Sequence, residues 1–157
     1  MRESFKTALG FGVTTGVITT LGLMVGLASG THSRIAVIGG VLTIAIADSL
    51  SDALGIHVSE EYAGKKHGEV WEASFATLAT KFFFASTFLL PVLLLELGEA
   101  VAVGVAWGAL LVAGISWAVA HERGEKAWRP ITEHVAITLL VVALSHYAGE
   151  LISKAFG

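Results

Sequence analysis

The chain has 157 residues, of which 54% are apolar and 15% charged, with a formal net charge of −3 and no cysteine. A disulfide framework, thiolate zinc sites and cysteine-ligated iron–sulfur clusters are thereby excluded, and nothing points to a nucleic-acid partner. The charged residues gather between long apolar runs, which is the composition of an all-α integral membrane protein rather than of a soluble globule.

Five apolar spans follow one another, each near the ~20 residues needed to cross a bilayer. They cover about Lys6 to Ala28, Arg34 to Val58, Glu72 to Leu95, Ala100 to Ala120 and Ile131 to Ser153. The connections are short, so residues 1–157 read as a single five-helix transmembrane domain. Met1–Lys6 is a short charged start without a cleavage signature after the first apolar run, and reads as part of a retained helix. Arg2, Lys6, Lys65, Lys66, Arg123, Lys126 and Arg129 fall on one side, and Arg34 and Lys154 on the other. The positive-inside rule then predicts a cytoplasmic N-terminus and an outside C-terminus. Trp71 and Trp128 sit where interfacial aromatic belts are expected, whereas Trp107 and Trp117 are expected to pack within the fourth span.

Span one carries Gly12 and Gly16, then Gly22, Gly26 and Gly30, at spacings of four that let helix backbones approach closely. These faces predict close helix packing and a symmetric dimer. Thr14, Thr15, Thr19 and Thr20 either offer oxygens to a path or bond their own backbone.

Span two holds the most specific signal, Asp48 and Asp52 within an otherwise apolar segment. Positions four apart share one helical face. A carboxylate near a bilayer centre costs roughly 2.5–3.5 kcal/mol, so a pair must face protein, water or a cation rather than lipid. The pair reads either as a cation site or as carboxylates satisfied by Ser and Thr between packed helices. Two close carboxylates raise one pKa, the property that a proton-exchanging site needs. Beyond it, His57, Ser59, Glu60 and Glu61 continue the helix past the membrane surface. With His67, Glu69 and Glu72 they form either a metal-gathering vestibule or a solvated charged loop, with Gly64 and Gly68 as breakers. Oxygen and imidazole ligands suit Fe²⁺ and Mn²⁺.

Lys81 in span three has two readings: it snorkels to the interface, or it neutralises Asp48 or Asp52. Pro91 is expected to kink or end that helix. Span four is scaffold up to His121–Glu122, and Pro130 suits the start of span five. There His146 and Glu150 are four apart and share a face, either as an exit site or proton relay or as a structural pair.

The segments Phe11-Gly-Val-Thr-Thr-Gly16 and Thr20-Leu-Gly-Leu-Met-Val-Gly-Leu-Ala28, with Gly39-Gly40, Ala47, Ser51, Gly55, Glu60-Glu61, Trp71 and Pro91, resemble the vacuolar iron transporter family. The resemblance implies a homodimer whose metal path lies near the first two helices, moving Fe²⁺ or Mn²⁺ out of the cytosol against protons. Three departures are visible. Thr15 stands where the family has an aspartate, and Asp52 where it has a methionine. A short loop replaces the long glutamate-rich domain between spans two and three, so acidity moves from helix one to helix two and the site becomes harder.

The expected function is therefore a secondary transporter of divalent first-row cations. Asp48, Asp52, Glu60, Glu61, Glu69 and Glu72 are its candidate metal residues. Thr15, Ser51, His57, Lys81, His146 and Glu150 are candidates for a proton relay or path. The cation is substrate, with no tightly bound cofactor expected. The alternative is a non-transporting scaffold or metal sensor of the same fold. Without a His-Glu-x-x-His pattern, nucleophile motif or cofactor fingerprint, no enzyme is expected. The membrane would be the cell membrane in a prokaryote and a vacuolar-type membrane in a eukaryote.

Overall fold

The computed structural model describes residues 3–156, so Arg2 of the basic side lies outside the described residues. The described chain is helical throughout: α1 (Glu3–Thr31), α2 (Arg34–Tyr62), α3 (His67–Thr87), α4 (Leu89–Leu94), α5 (Leu97–Glu122) and α6 (Trp128–Phe156). With α3 and α4 taken as one span, five helical segments are long and apolar enough to cross a membrane. Each runs past the apolar stretch that announces it. At 1.5 Å per residue a 29-residue helix is roughly 43 Å long, so its ends reach beyond a hydrocarbon core of about 30 Å.

Short turns force neighbouring spans antiparallel. One end of the bundle holds the start of α1 and the turns at 63–66 and 123–127, with Lys6, Lys65, Lys66, Arg123 and Lys126 (the basic end). The opposite end holds the turns at 32–33 and 95–96. Gly64 and Gly124 close the basic-end turns with φ of 69° and 67°, where a Cβ is disfavoured. Gly68 lies inside α3 and breaks nothing. At the other end Ser33 caps α2 by accepting from the Ala36 amide, and an Arg34 guanidinium N–H donates to the Leu95 carbonyl.

Pro91 acts as its chemistry requires. It offers no N–H to the Thr87 carbonyl, and its ring crowds that carbonyl, so α3 ends at Thr87 and the span resumes as the short α4. Trp107 Nε1 donates to Thr87 Oγ1 at 3.0 Å and ties the break to α5.

The first helix is the axis of the bundle. Over its most apolar window 56% is buried inside the protein, against 11% for α6. Val17, Leu21 and Met24 of α1 meet Val37 and Val41 of α2, Phe88 and Val92 around the break, and Val112 of α5. Hydrocarbon outside is as apolar as leucine, so close packing and polar contacts must hold these helices together.

That requirement explains where the glycines go. A Cβ on Gly12 would lie 3.1 Å from the Thr77 carbonyl oxygen, and one on Gly16 3.0 Å from Lys81 Cγ. On the other side Gly22 abuts Val141 and Ser145, Gly26 abuts Ser145, and Gly30 abuts Gly149. These faces are filled within the chain by α3 and α6, and do not form the outward dimer face that their spacing suggests. Trp107 and Trp117 also depart from expectation. They are 40% and 55% exposed, and face outward from α5 rather than packing within the bundle.

Candidate functional site

Asp48 is the central residue of α2, where insertion of a charge costs most. Asp48 and Asp52 both face inward toward α1 and α3. Thr19 Oγ1 donates to Asp48 Oδ2 at 2.9 Å, and Thr15 Oγ1 to Asp52 Oδ2 at 3.0 Å. Each hydroxyl also lies within bonding distance of a carbonyl one turn earlier in α1, those of Thr15 and Phe11. Two residues spaced by four on α1 thus meet two spaced by four on the antiparallel α2. That matching period was the signal in the sequence for Thr19, which only a paired reading of the two spans isolates.

The third member is Lys81. Its side chain is 2% exposed, and Nζ is 2.7 Å from Asp48 Oδ2 and bonded also to Asp52 Oδ2. Lys81 therefore does not snorkel. It neutralises both carboxylates at once, where the sequence reading had allowed for one or the other. Gly16 makes this possible: α1 approaches so closely that the lysine stem lies against its backbone, where any Cβ would intrude. An ammonium buried in this way persists only when paired, because desolvation costs several kcal/mol per ion. With all three groups ionised the site carries one net negative charge.

The carboxylates are less enclosed than the lysine, at 22% and 27% of their side-chain surface. Asp48 reaches an outer groove of about 490 Å³, lined by Leu23, Gly40, Thr43, Ile44, Ala47 and Ser51. Ser51 thus belongs to the groove wall. Gly39, Thr43, Ala47, Ser51 and Gly55, four apart, make an exposed small-residue face beside the acids. A Cβ on Gly39 or Gly55 would meet nothing.

The other candidate residues lie apart from this triad. His57 Nδ1 is 3.1 Å from Ser74 Oγ, its Nε2 is 3.6 Å from Glu61, and Trp71 packs edge-on against its ring. Glu61 is exposed, whereas Glu60, Glu69 and Glu72 are half-buried near the basic end. Glu60 Oε2 is buried without a hydrogen-bond partner. Trp71 Nε1 donates to His67 Nε2 at 3.1 Å. Among the described residues no three His, Asp or Glu side chains converge into a group able to hold a metal.

At the far end of α6, His146 Nε2 is 3.3 Å from Glu150, which also pairs with Lys154 at 3.2 Å. His146 Nδ1 is 2.6 Å from Ser29 Oγ on α1. A third Ser–His contact, which the sequence reading missed, joins α5 to α6: Ser116 Oγ lies 2.8 Å from His134 Nδ1. It borders a cavity of about 340 Å³ at the basic end with Thr14, Arg123 and Glu125. Nothing in the linear spacing of residues 116 and 134 signals that contact.

Five apolar helices make this an integral membrane protein in character, and among the described residues the buried ionic constellation is the Asp48–Lys81–Asp52 triad with its two threonine donors. Comparison of the chain with protein-family models, with curated proteins and with solved structures returned no match.

Proposed function

We propose that the protein is a cation-exchanging secondary transporter in which the Asp48–Asp52 pair is the exchange site and Lys81 the resident cation. The observation that carries this reading is the position of the Lys81 ammonium, buried between two carboxylates at the middle of the bundle. A mobile cation entering the pair would take the place of that ammonium, so the site alternates between an internal and an external counter-ion. Carboxylate and hydroxyl oxygens are hard donors, suited to Mn²⁺ or Fe²⁺ accompanied by water, with protons as the exchanged charge. Glu60, Glu61, Glu69 and Glu72 would concentrate cations at the basic-end mouth, which this reading assigns to the cytoplasm.

A homodimer forms part of the proposal. The exposed small-residue face of α2 runs beside partly exposed carboxylates, which hydrocarbon would not solvate. A second copy packed there would cover both.

One observation favours a second reading, a non-transporting membrane scaffold or sensor. Lys81 already pairs with both carboxylates and compensates half of their charge, so neither is left without a cationic partner. Flux in proteoliposomes separates the two. The transport reading expects uptake of Mn²⁺ or Fe²⁺ driven by a pH gradient and lost in Asp52→Asn. No flux from the wild-type dimer under either gradient direction would leave the scaffold reading standing.

A further inference from the structure

The α1 glycines that meet α6 all lie in the half of α1 away from the basic end: Gly22 abuts Val141, Gly26 abuts Ser145 and Gly30 abuts Gly149. Gly104 and Gly108 seat α5 against Met24 and Leu21 in that same half. Toward the basic end a Cβ on Gly10 would meet nothing. The three helices therefore diverge there and leave a cleft with two arms, which share Gly10, Ile115, Val119 and Arg123. The inner arm, of about 340 Å³, reaches α6, and the outer arm, of about 520 Å³, opens between α1 and α5.

The arms differ in chemistry. Leu9, Ile115, Ala118 and Val119 wall the outer one. Thr14, Ser116 and His134 line the inner one, where Ser116 Oγ lies 2.6 Å from the Val112 carbonyl oxygen and 2.8 Å from His134 Nδ1. The rim, with an adjoining recess at Glu125 and Pro130, gathers four cations, Lys6, Arg123, Lys126 and Arg129, against two carboxylates, Glu122 and Glu125. Among the described residues only Lys6 of the four is ion-paired, with Glu122. The rim is thus locally positive in a chain whose net charge is −3.

We propose that this cleft binds one anionic phospholipid. The phosphate sits at the rim on Arg123, with Lys126 and Arg129 beside it; the ester oxygens enter the inner arm, where the Thr14 hydroxyl can donate; an acyl chain lies along the outer arm. A guanidinium fork suits phosphate, and basic pockets between membrane helices recognise acidic headgroups in this way. The apolar arm argues for a lipid over a free phosphate, and the surplus of cations for an acidic lipid over a zwitterionic one. None of the lining residues belongs to α2 or to the triad, so the proposal stands or falls apart from the transport reading.

The test is native mass spectrometry of the protein in mild detergent, offered dioleoylphosphatidylglycerol and dioleoylphosphatidylcholine in equal amounts. The proposal expects the first bound lipid to be phosphatidylglycerol by roughly fivefold or more. Arg123→Gln with Arg129→Gln, both exposed side chains, should bring the ratio close to one. Lys65→Gln with Lys66→Gln, at the same end but on the α2–α3 turn, should leave it unchanged. No preference in the wild type, or an equal loss in both double variants, would mean a diffuse attraction and overturns the proposal. Val119→Trp fills the outer arm and leaves the rim intact. It should reduce phosphatidylglycerol binding, and undiminished binding counts against the site. Glycerol 1-phosphate, the headgroup without chains, should not displace the lipid at equal concentration; displacement would make this a site for free phosphate and overturns the proposal as well.

Discussion

Among the described residues, two three-membered charge ladders each join carboxylate to lysine, and they differ in composition, in burial and in how many helices they cross. At the centre, Asp48 and Asp52 share the Lys81 ammonium across two helices, with the lysine side chain 2% exposed. At the far end of α6, His146, Glu150 and Lys154 follow one another at spacings of four on one helix, with side chains 42–77% exposed. The second ladder is exposed on the outside of one helix, so its pairs offset little desolvation and are nearly free to break. In the first, each group relies on the others to offset its desolvation. Burial, more than residue type, sets how much each ladder matters to stability.

The largest effect should come from stranding the buried ammonium. Asp48→Asn with Asp52→Asn leaves Lys81 without a counter-charge, and should lower stability by roughly 3–5 kcal/mol in a chemical or thermal unfolding measurement. Lys81→Met leaves two facing carboxylates instead. That variant should melt lower than wild type in chelator and recover when Mn²⁺ is added, since an external cation then fills the vacated position. If it melts lower but gains nothing from any cation, the triad is a structural lock and not an exchange site.

Next comes the seat of the lysine. Gly16→Val forces a branched side chain against Lys81 Cγ and its backbone, and should cost about 1–3 kcal/mol through overpacking. Gly39→Val on the outer face of α2 meets open space within the protomer. It should leave the monomer fold intact and reduce the dimer fraction seen by native mass spectrometry. Equal effects of the two substitutions on unfolding would contradict the division of α1 and α2 glycines drawn above.

The basic-end acids should respond to salt. Neutralising Glu60, Glu61, Glu69 and Glu72 together should weaken apparent cation affinity at low ionic strength, with the difference vanishing as screening shortens to about 8 Å near physiological salt. An equal loss at every salt concentration would make these residues ligands. The smallest effect belongs to the exposed ladder: Lys154→Ala and His146→Ala should leave the melting temperature unchanged within error. A large loss there would erase the contrast between the two ladders.

Much of the plan is legible in one dimension. Apolar run length gives the five spans, Pro91 gives the α3–α4 break, and the spacing of Asp48 and Asp52 marks the site. Lys81 is legible as a candidate counter-ion but not as a bridge, because residue 81 can be assigned to the acids only once α2 and α3 are known to pack directly against each other beside α1. The glycines mislead for a related reason. A spacing of four says that a backbone will come close, and is silent on whether it belongs to the same chain. Gly12, Gly16, Gly22, Gly26 and Gly30 all meet helices of their own protomer. Trp107 and Trp117 mislead because a membrane protein turns large apolar side chains outward at little cost, so bulk does not imply burial.

The central claim is that Lys81 and the two aspartates offset one another inside the bundle. Its most direct test is the unfolding free energy of the triple variant Asp48→Asn, Asp52→Asn, Lys81→Met, set beside that of the double Asp48→Asn, Asp52→Asn. The account predicts that removing the lysine as well restores stability to the wild-type level or above, since replacement of a whole buried ion cluster by neutral groups is often neutral or stabilising. A triple variant as unstable as the double, or less stable, would contradict it.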